Sequence, residues 1–172
     1  VTPHVPRVHR FDSNSGWMGP RNMDRFRSET DLERRREIIR RARHKGSMPA
    51  EVRGMLRRAA ELGKLAIRVT TVSGGVFDGQ ELILDCEDGT TLRTSRAVLT
   101  TGFEQKRPGG AWLDRAIEDL GLPLAPCGFP VVEPSLRWHG GLYVTGALAE
   151  MELGPAARNI IGARHAAERL QA

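Results

Sequence analysis

The sequence predicts a mixed α/β chain built from a helical pair, a small antiparallel sheet and a C-terminal strand-helix unit. Three observations carry this. Helical periodicity runs through residues 31–63, short alternating stretches replace it between 65 and 99, and an apolar strand, a glycine turn and a helix follow one another near the end. At 172 residues the chain has the length of one ordinary domain, short for an enzyme that binds two nucleotides. The change of pattern divides it into residues 1–65, an irregular arm plus a basic helical pair, and residues 66–172, the meander and the strand-helix end.

Residues 1–29 are rich in Pro, Gly, Asn, Ser and Arg. Phe11, Trp17, Met18, Met23 and Phe26 recur there without helical or strand period, which predicts irregular structure. Gly16-Trp17-Met18-Gly19-Pro20 reads as a turn that inserts a large aromatic against a neighbouring surface. Thr30 and Glu33 fit a capping box for a helix over 31–45, ended by Gly46, with Leu32, Ile38, Ile39 and Ala42 available to pack. A second helix begins near Pro49, carries Val52, Met55, Leu56, Ala59 and Ala60 on one stripe, and stops at Gly63.

From Leu65 the runs 65–72, 80–86 and 90–99 read as an antiparallel meander, with Asp88-Gly89 as a turn. Residues 111–120 form a helix closed by Gly121. Residues 142–145 are a short apolar strand, and the last helix follows Gly154-Pro155 and buries Ala156, Ile160, Ala163, Ala167 and Leu170.

Residues 1–65 hold 16 Lys and Arg against 8 Asp and Glu, whereas residues 66–172 hold 10 against 13, so the overall charge of +5 belongs to the first third. Clustered cations attract nucleic acid, an anionic membrane or a phosphorylated cofactor alike, and a solvated arginine face has the same composition. Arginine-rich helices without interleaved aromatics argue against nucleic acid. No apolar run has the length of a membrane span and the N-terminal residues lack the apolar stretch of a secretory signal, which predicts a cytoplasmic protein. Cys86 and Cys127 lack metal-ligand spacing and read as small buried hydrophobes, with no metal site expected. His4, His9, His44, His139 and His165 are scattered, and no catalytic constellation stands out.

The segment GLYVTGALAEMELGPAARNIIGAR (141–164) joins a strand, Gly146 and a glycine-led helix, an arrangement that presents unpaired N–H groups and the positive end of a helix dipole to an anion. It resembles the C-terminal flavin-binding signature of the FAD/NAD(P)-dependent oxidoreductases, in the branch with flavin-containing and N-hydroxylating monooxygenases. RAVLTTGFEQKRPG (96–109) is similar to the segment in which that family's chain returns from the pyridine-nucleotide region to the flavin region.

The resemblance implies a partial FAD/NAD(P)-binding, Rossmann-like fold. It places Thr100, Thr101, Gly102 and Phe103 at the hinge, and Gly146, Ala147, Glu152, Leu153, Gly154, Pro155 and Ala156 beside FAD, with Arg158 and Asn159 in support. Arg40, Arg41 and Arg43 become candidates for the 2′-phosphate of NADP. Two departures stand out. Ala147 occupies the position where the family has a carboxylate for the ribityl chain, leaving Glu150 or Glu152 to take that role. No GxGxxG occurs, so neither the FAD nor the NAD(P) pyrophosphate turn is present. The expectation is therefore the C-terminal portion of an FAD-dependent NAD(P)H oxidoreductase whose N-terminal nucleotide-binding segment is missing. Alone it would be inactive and without tightly bound cofactor. A non-enzymatic basic binding module and a self-pairing dimer are the rival readings.

Overall fold

The computed structural model describes every residue except Asp12, Lys45, Phe103 and Ala172. In chain order the elements are β1 (Arg7–Val8), α1 (Pro20–Ser28), α2 (Leu32–Ala42), β2 (Ser47–Met48), α3 (Ala50–Glu61), β3 (Val72–Phe77), β4 (Leu82–Cys86), β5 (Thr91–Thr94), α4 (Gly110–Leu120), β6 (Arg137–His139), β7 (Leu142–Tyr143), α5 (Glu150–Leu153) and α6 (Ile160–Leu170). Single 3-10 turns lie at Ser15–Met18 and Gly146–Ala149. Two compact units are interleaved along the chain: Val1–Arg10 with Lys45–Phe103, and Phe11–His44 with Glu104–Ala172. The division near residue 65 follows charge and periodicity. The units cut across it and assign the two basic helices, α2 and α3, to different bodies.

In the first unit, β3, β4 and β5 form an antiparallel meander in sequence order, and β1 pairs in parallel with β2. The meander is the expected one, but its first strand lies at Val72–Phe77, later than the 65–72 run. The backbone of Val72–Phe77 pairs with β4 through Gly74 and Gly75, residues that no propensity argument favours. Gly75 faces Leu84, whose side-chain end lies 2.8 Å from where a β-carbon would sit and would have to shift for a larger residue. The turn between β4 and β5 is at Asp88-Gly89: Gly89 has φ +82°, and Asp88 accepts hydrogen bonds from the Thr90 backbone N–H at 3.0 Å and hydroxyl at 2.7 Å. Helix α3 starts after Pro49, as expected, and buries none of its residues; Val52 and Met55 are exposed. Phe77, Val98 and Leu99 are also exposed.

The second unit contains two apolar clusters. Leu113 and Ile117 of α4, Trp138, Leu136, Leu153 and Ala166 belong to one; Met23 and Phe26 of α1, Ile39 of α2, Phe129 and Met151 belong to the other. Helix α4 matches the expected span, and Gly121 closes it in the left-handed conformation at φ +60°. Helix α1 corrects the expectation of irregular structure over residues 1–29. Pro20 occupies the first helical turn, where its missing N–H costs nothing, and Met23 and Phe26, three apart, fall on one buried face. Trp17 packs edge-on to Phe26 with ring centroids 6.3 Å apart, the packing role expected of it.

The cap of α2 is Asp31, which accepts from the N–H groups of Glu33 and Arg34, one residue beyond the expected Thr30. That helix ends at Ala42, short of residue 45.

Two further corrections concern the C-terminal segment. The strand before Gly146 is two residues long and its Leu142 and Tyr143 are exposed, with Val144 buried just beyond it. Helix α6 begins at Ile160, with Asn159 as cap accepting from Gly162 N–H at 3.0 Å. Its buried residues are Gly162 and Ala166, while Ile160 is 87 % exposed and Leu170 is also exposed. Of the residues expected to be buried, Ala156 is, ahead of the helix, whereas Ile160, Ala163, Ala167 and Leu170 are exposed.

Candidate functional site

Helix α2 places Leu32, Arg36 and Ile39 at spacings of four and three, the stripe of one helical face, and Arg43 follows as its C-cap. Met23, Phe26 and Phe129 surround that face, so two arginines enter an apolar environment and need a counter-charge. Glu150, the first residue of α5, supplies it. The Glu150 side chain has no solvent exposure and receives three guanidinium groups: Arg36 donates to Oε1, Arg158 to Oε2 at 2.8 Å and Arg43 to Oε2 at 3.4 Å. Arg36 also donates to the Gln105 carbonyl at 3.0 Å and stacks over the Phe129 ring, its Cζ 4.0 Å from the centroid. Stacking suits the planar, weakly hydrated guanidinium.

A second carboxylate, Glu152, is held two residues on. Arg169 of α6 donates to its Oε1 at 2.8 Å and Arg35 to its Oε2 at 3.3 Å. Arg35 also donates to the carbonyls of Glu29, Arg27 and Met151, tying the loop between α1 and α2 to α5. The two carboxylates of the Glu150-Met151-Glu152 segment therefore join α2, α6 and the Arg158 turn through five arginines.

Around Glu150 three positive charges meet one negative, and a cleft of about 10 Å³, lined by Arg36, Arg40, Arg43, Gln105, Glu150 and Arg158, opens beside it. That volume is about what one water needs. Arg36 Nε is buried there without a hydrogen-bond partner among the described residues.

The residues that the sequence singled out fall as follows. Thr101 and Gly102 are exposed in the first unit, with Gly102 at φ +75° and open space around it; Phe103 lies outside the described residues. In the second unit Gly146 adopts φ +60°, again with nothing within 4 Å of where a β-carbon would sit, and Ala147 is half-buried. Leu153, Gly154, Pro155 and Ala156 are buried. Gly154, at φ +75°, has Met23 Sδ 3.0 Å from its β-carbon position. Its close approach is to α1.

Neither candidate substitute for the missing carboxylate is uncommitted: Glu150 has no exposed surface and both oxygens of Glu152 hold arginines. Asn159 is turned to capping α6. Arg41 pairs with Glu37 at 2.6 Å, Arg43 with Glu150, and Arg40 is exposed at the cleft.

Backbone is thus open to a ligand at Gly146–Ala147, whereas in the first turn of α6 Asn159 takes the Gly162 N–H and the Ala156 and Ala157 backbone fills the space beside Gly162. Sequence reasoning missed the Arg36–Glu150 and Arg35–Glu152–Arg169 links. The available signal was Arg36 within the apolar stripe of α2 and two glutamates inside the apolar run Ala147–Leu153. Among the described residues no group of three His, Cys, Asp or Glu could hold a metal ion, and no helix is long and apolar enough to cross a membrane.

The mixed α/β fold is similar to part of two solved structures. An ornithine hydroxylase from Pseudomonas aeruginosa superposes with TM-score 0.64 and 15 % identity over 98 % of this chain and 43 % of its own. An ornithine N-hydroxylase from Kutzneria sp. 744, solved with reduced FAD, NADP+ and L-ornithine, superposes with TM-score 0.64 and 14 % identity over 96 % of this chain and 44 % of its own. The chain spans less than half the length of these structures. No protein-family model and no curated protein matches the sequence.

Proposed function

We propose that this chain is a portion of an FAD-dependent NAD(P)H oxidoreductase of monooxygenase-like kind, inactive without the remainder of such an enzyme. The observation that carries the reading is a likeness to two ornithine hydroxylases over nearly the whole chain. FAD, when bound, would supply hydride and oxygen chemistry, and the protein would position it and exclude water.

The open backbone positions at Gly146 and Ala147 fit a flavin, because they offer close approach without a side chain in the way. Leu153, Gly154, Pro155 and Ala156 would form the packed floor beneath them. Glu152, Arg158 and Asn159 would hold that floor in place. Thr101, Gly102 and Phe103 remain the proposed hinge, and Arg40 is the best placed of the three candidates for a cofactor phosphate, since Arg41 and Arg43 have carboxylate partners.

The proposed partner is the N-terminal nucleotide-binding segment of the same enzyme. The uncovered apolar residues of α3 and of the 98–99 run, together with neighbours more than twice as long, support it. The rival, a basic module contacting nucleic acid or another protein, draws less support because Arg35, Arg36, Arg43, Arg158 and Arg169 are committed to Glu150 and Glu152. Anaerobic addition of NADH or NADPH to the full-length gene product should bleach its flavin absorbance. Bound flavin that neither nucleotide reduces would overturn the oxidoreductase reading.

A further inference from the structure

The second unit holds a larger opening on the other side of α2 from Glu150, an open pocket of about 520 Å³ between α1 and α2. That volume lies within the range of small-molecule sites, roughly 300–1,000 Å³. Its apolar part is made by Trp17, Phe26, Ile38 and Ala42, and its polar part by Arg21, Arg25, Arg41 and the neutral Asn22, with no carboxylate in the lining. Phe26 is fixed from two directions, edge-on by Trp17 and by the Arg35 guanidinium 5.4 Å from its ring centroid, so the aromatic wall is rigid.

Arg21 and Arg25, one turn apart on α1, have no ion-pair partner among the described residues, although Asp24 sits between them and pairs instead with Arg27. Arg41 uses its Nε for Glu37, which leaves its two terminal amino groups without a described partner. Three guanidinium groups over an aromatic wall repel an amine and pair well with carboxylate oxygens, because the guanidinium fork matches that geometry. Arg at such a rim also stacks on a ligand ring.

We propose that this pocket binds a small organic carboxylate with an aromatic or alkyl body, the body against Trp17, Phe26 and Ile38 and the carboxylate toward Arg21 and Arg25. The inference does not rest on the flavin reading, since every residue it uses lies within residues 11–44.

The test is calorimetric titration of the purified chain with 2-naphthoate, and with 2-naphthylmethanol as the uncharged analogue. Tryptophan emission is followed in parallel. Saturable binding of the carboxylate is expected, with the alcohol weaker by at least about tenfold, as loss of a charge-assisted pair implies. The double substitution Arg21→Gln/Arg25→Gln, at exposed positions, should weaken the carboxylate to the level of the alcohol and leave the alcohol unchanged. Trp17→Phe should abolish the emission change. Equal binding of acid and alcohol, carboxylate binding unaffected by the double substitution, an emission change that persists without Trp17, or no carboxylate binding at millimolar concentration would each overturn the proposal.

Discussion

Arg36 and Glu150 are 114 residues apart in sequence and meet inside the second unit, both almost completely removed from solvent. The pair fastens α2 to α5, and Arg158 and Arg43 complete the charge around the same carboxylate. A buried ion pair of this kind is weak evidence of net stability, because desolvation offsets the attraction; breaking it from one side is what costs.

Glu150→Gln should therefore be strongly destabilising, by about 3–5 kcal/mol, since it leaves several arginines facing a neutral group. Trp17, Trp112 and Trp138 all lie in the second unit, so tryptophan fluorescence in a urea titration reports on it alone. The double substitution Arg36→Met/Glu150→Leu should lose less than the two single changes combined.

Gly162 offers a test in which two effects oppose each other. Replacing a helical glycine by alanine should stabilise by about 1 kcal/mol on propensity alone. Here the new β-carbon would lie 2.2 Å from the Ala156 carbonyl oxygen and 2.6 Å from the Ala157 backbone, neither of which can swing aside. Gly162→Ala should lower the urea midpoint, with overpacking of about 1–3 kcal/mol outweighing the propensity gain.

The cap of α2 gives a smaller effect of known sign. Asp31→Ala should destabilise the second unit by about 1 kcal/mol, whereas Thr30→Ala should be near neutral, because Asp31 and not Thr30 accepts the Glu33 and Arg34 N–H groups.

In the first unit the Thr90 hydroxyl, then the Thr90 backbone N–H, hold the Asp88 carboxyl below the ordinary aspartate range. A depressed folded pKa means that the turn's contribution is present above the unfolded value, roughly 3.9, and is lost as pH falls through the lower folded value. Thr90→Val should raise the Asp88 midpoint measured by NMR titration toward the ordinary value.

Elements closed by local chemistry were legible in the sequence. Helix α4 is bounded by Gly109 and Gly121, and the Asp88-Gly89 turn is set by residues that favour it. Helix α1 was hidden because its polar and charged residues outnumber a stripe of only Met23 and Phe26. The phase of α6 was misread because Asn159, and not Gly154-Pro155, begins it, which moves burial to Gly162 and Ala166. The arginine-glutamate links were the least legible part. Three of them, from Arg35, Arg36 and Arg43, join residues more than a hundred positions apart, and an arginine in an apolar stripe announces a counter-charge without saying where it is.

The proposed flavin role is tested most directly by the absorbance of the purified full-length gene product before and after adding FAD. The account predicts flavin bands in the blue at about one FAD per chain, as expected where the cofactor carries the chemistry. A colourless protein that also rejects added FAD would contradict it.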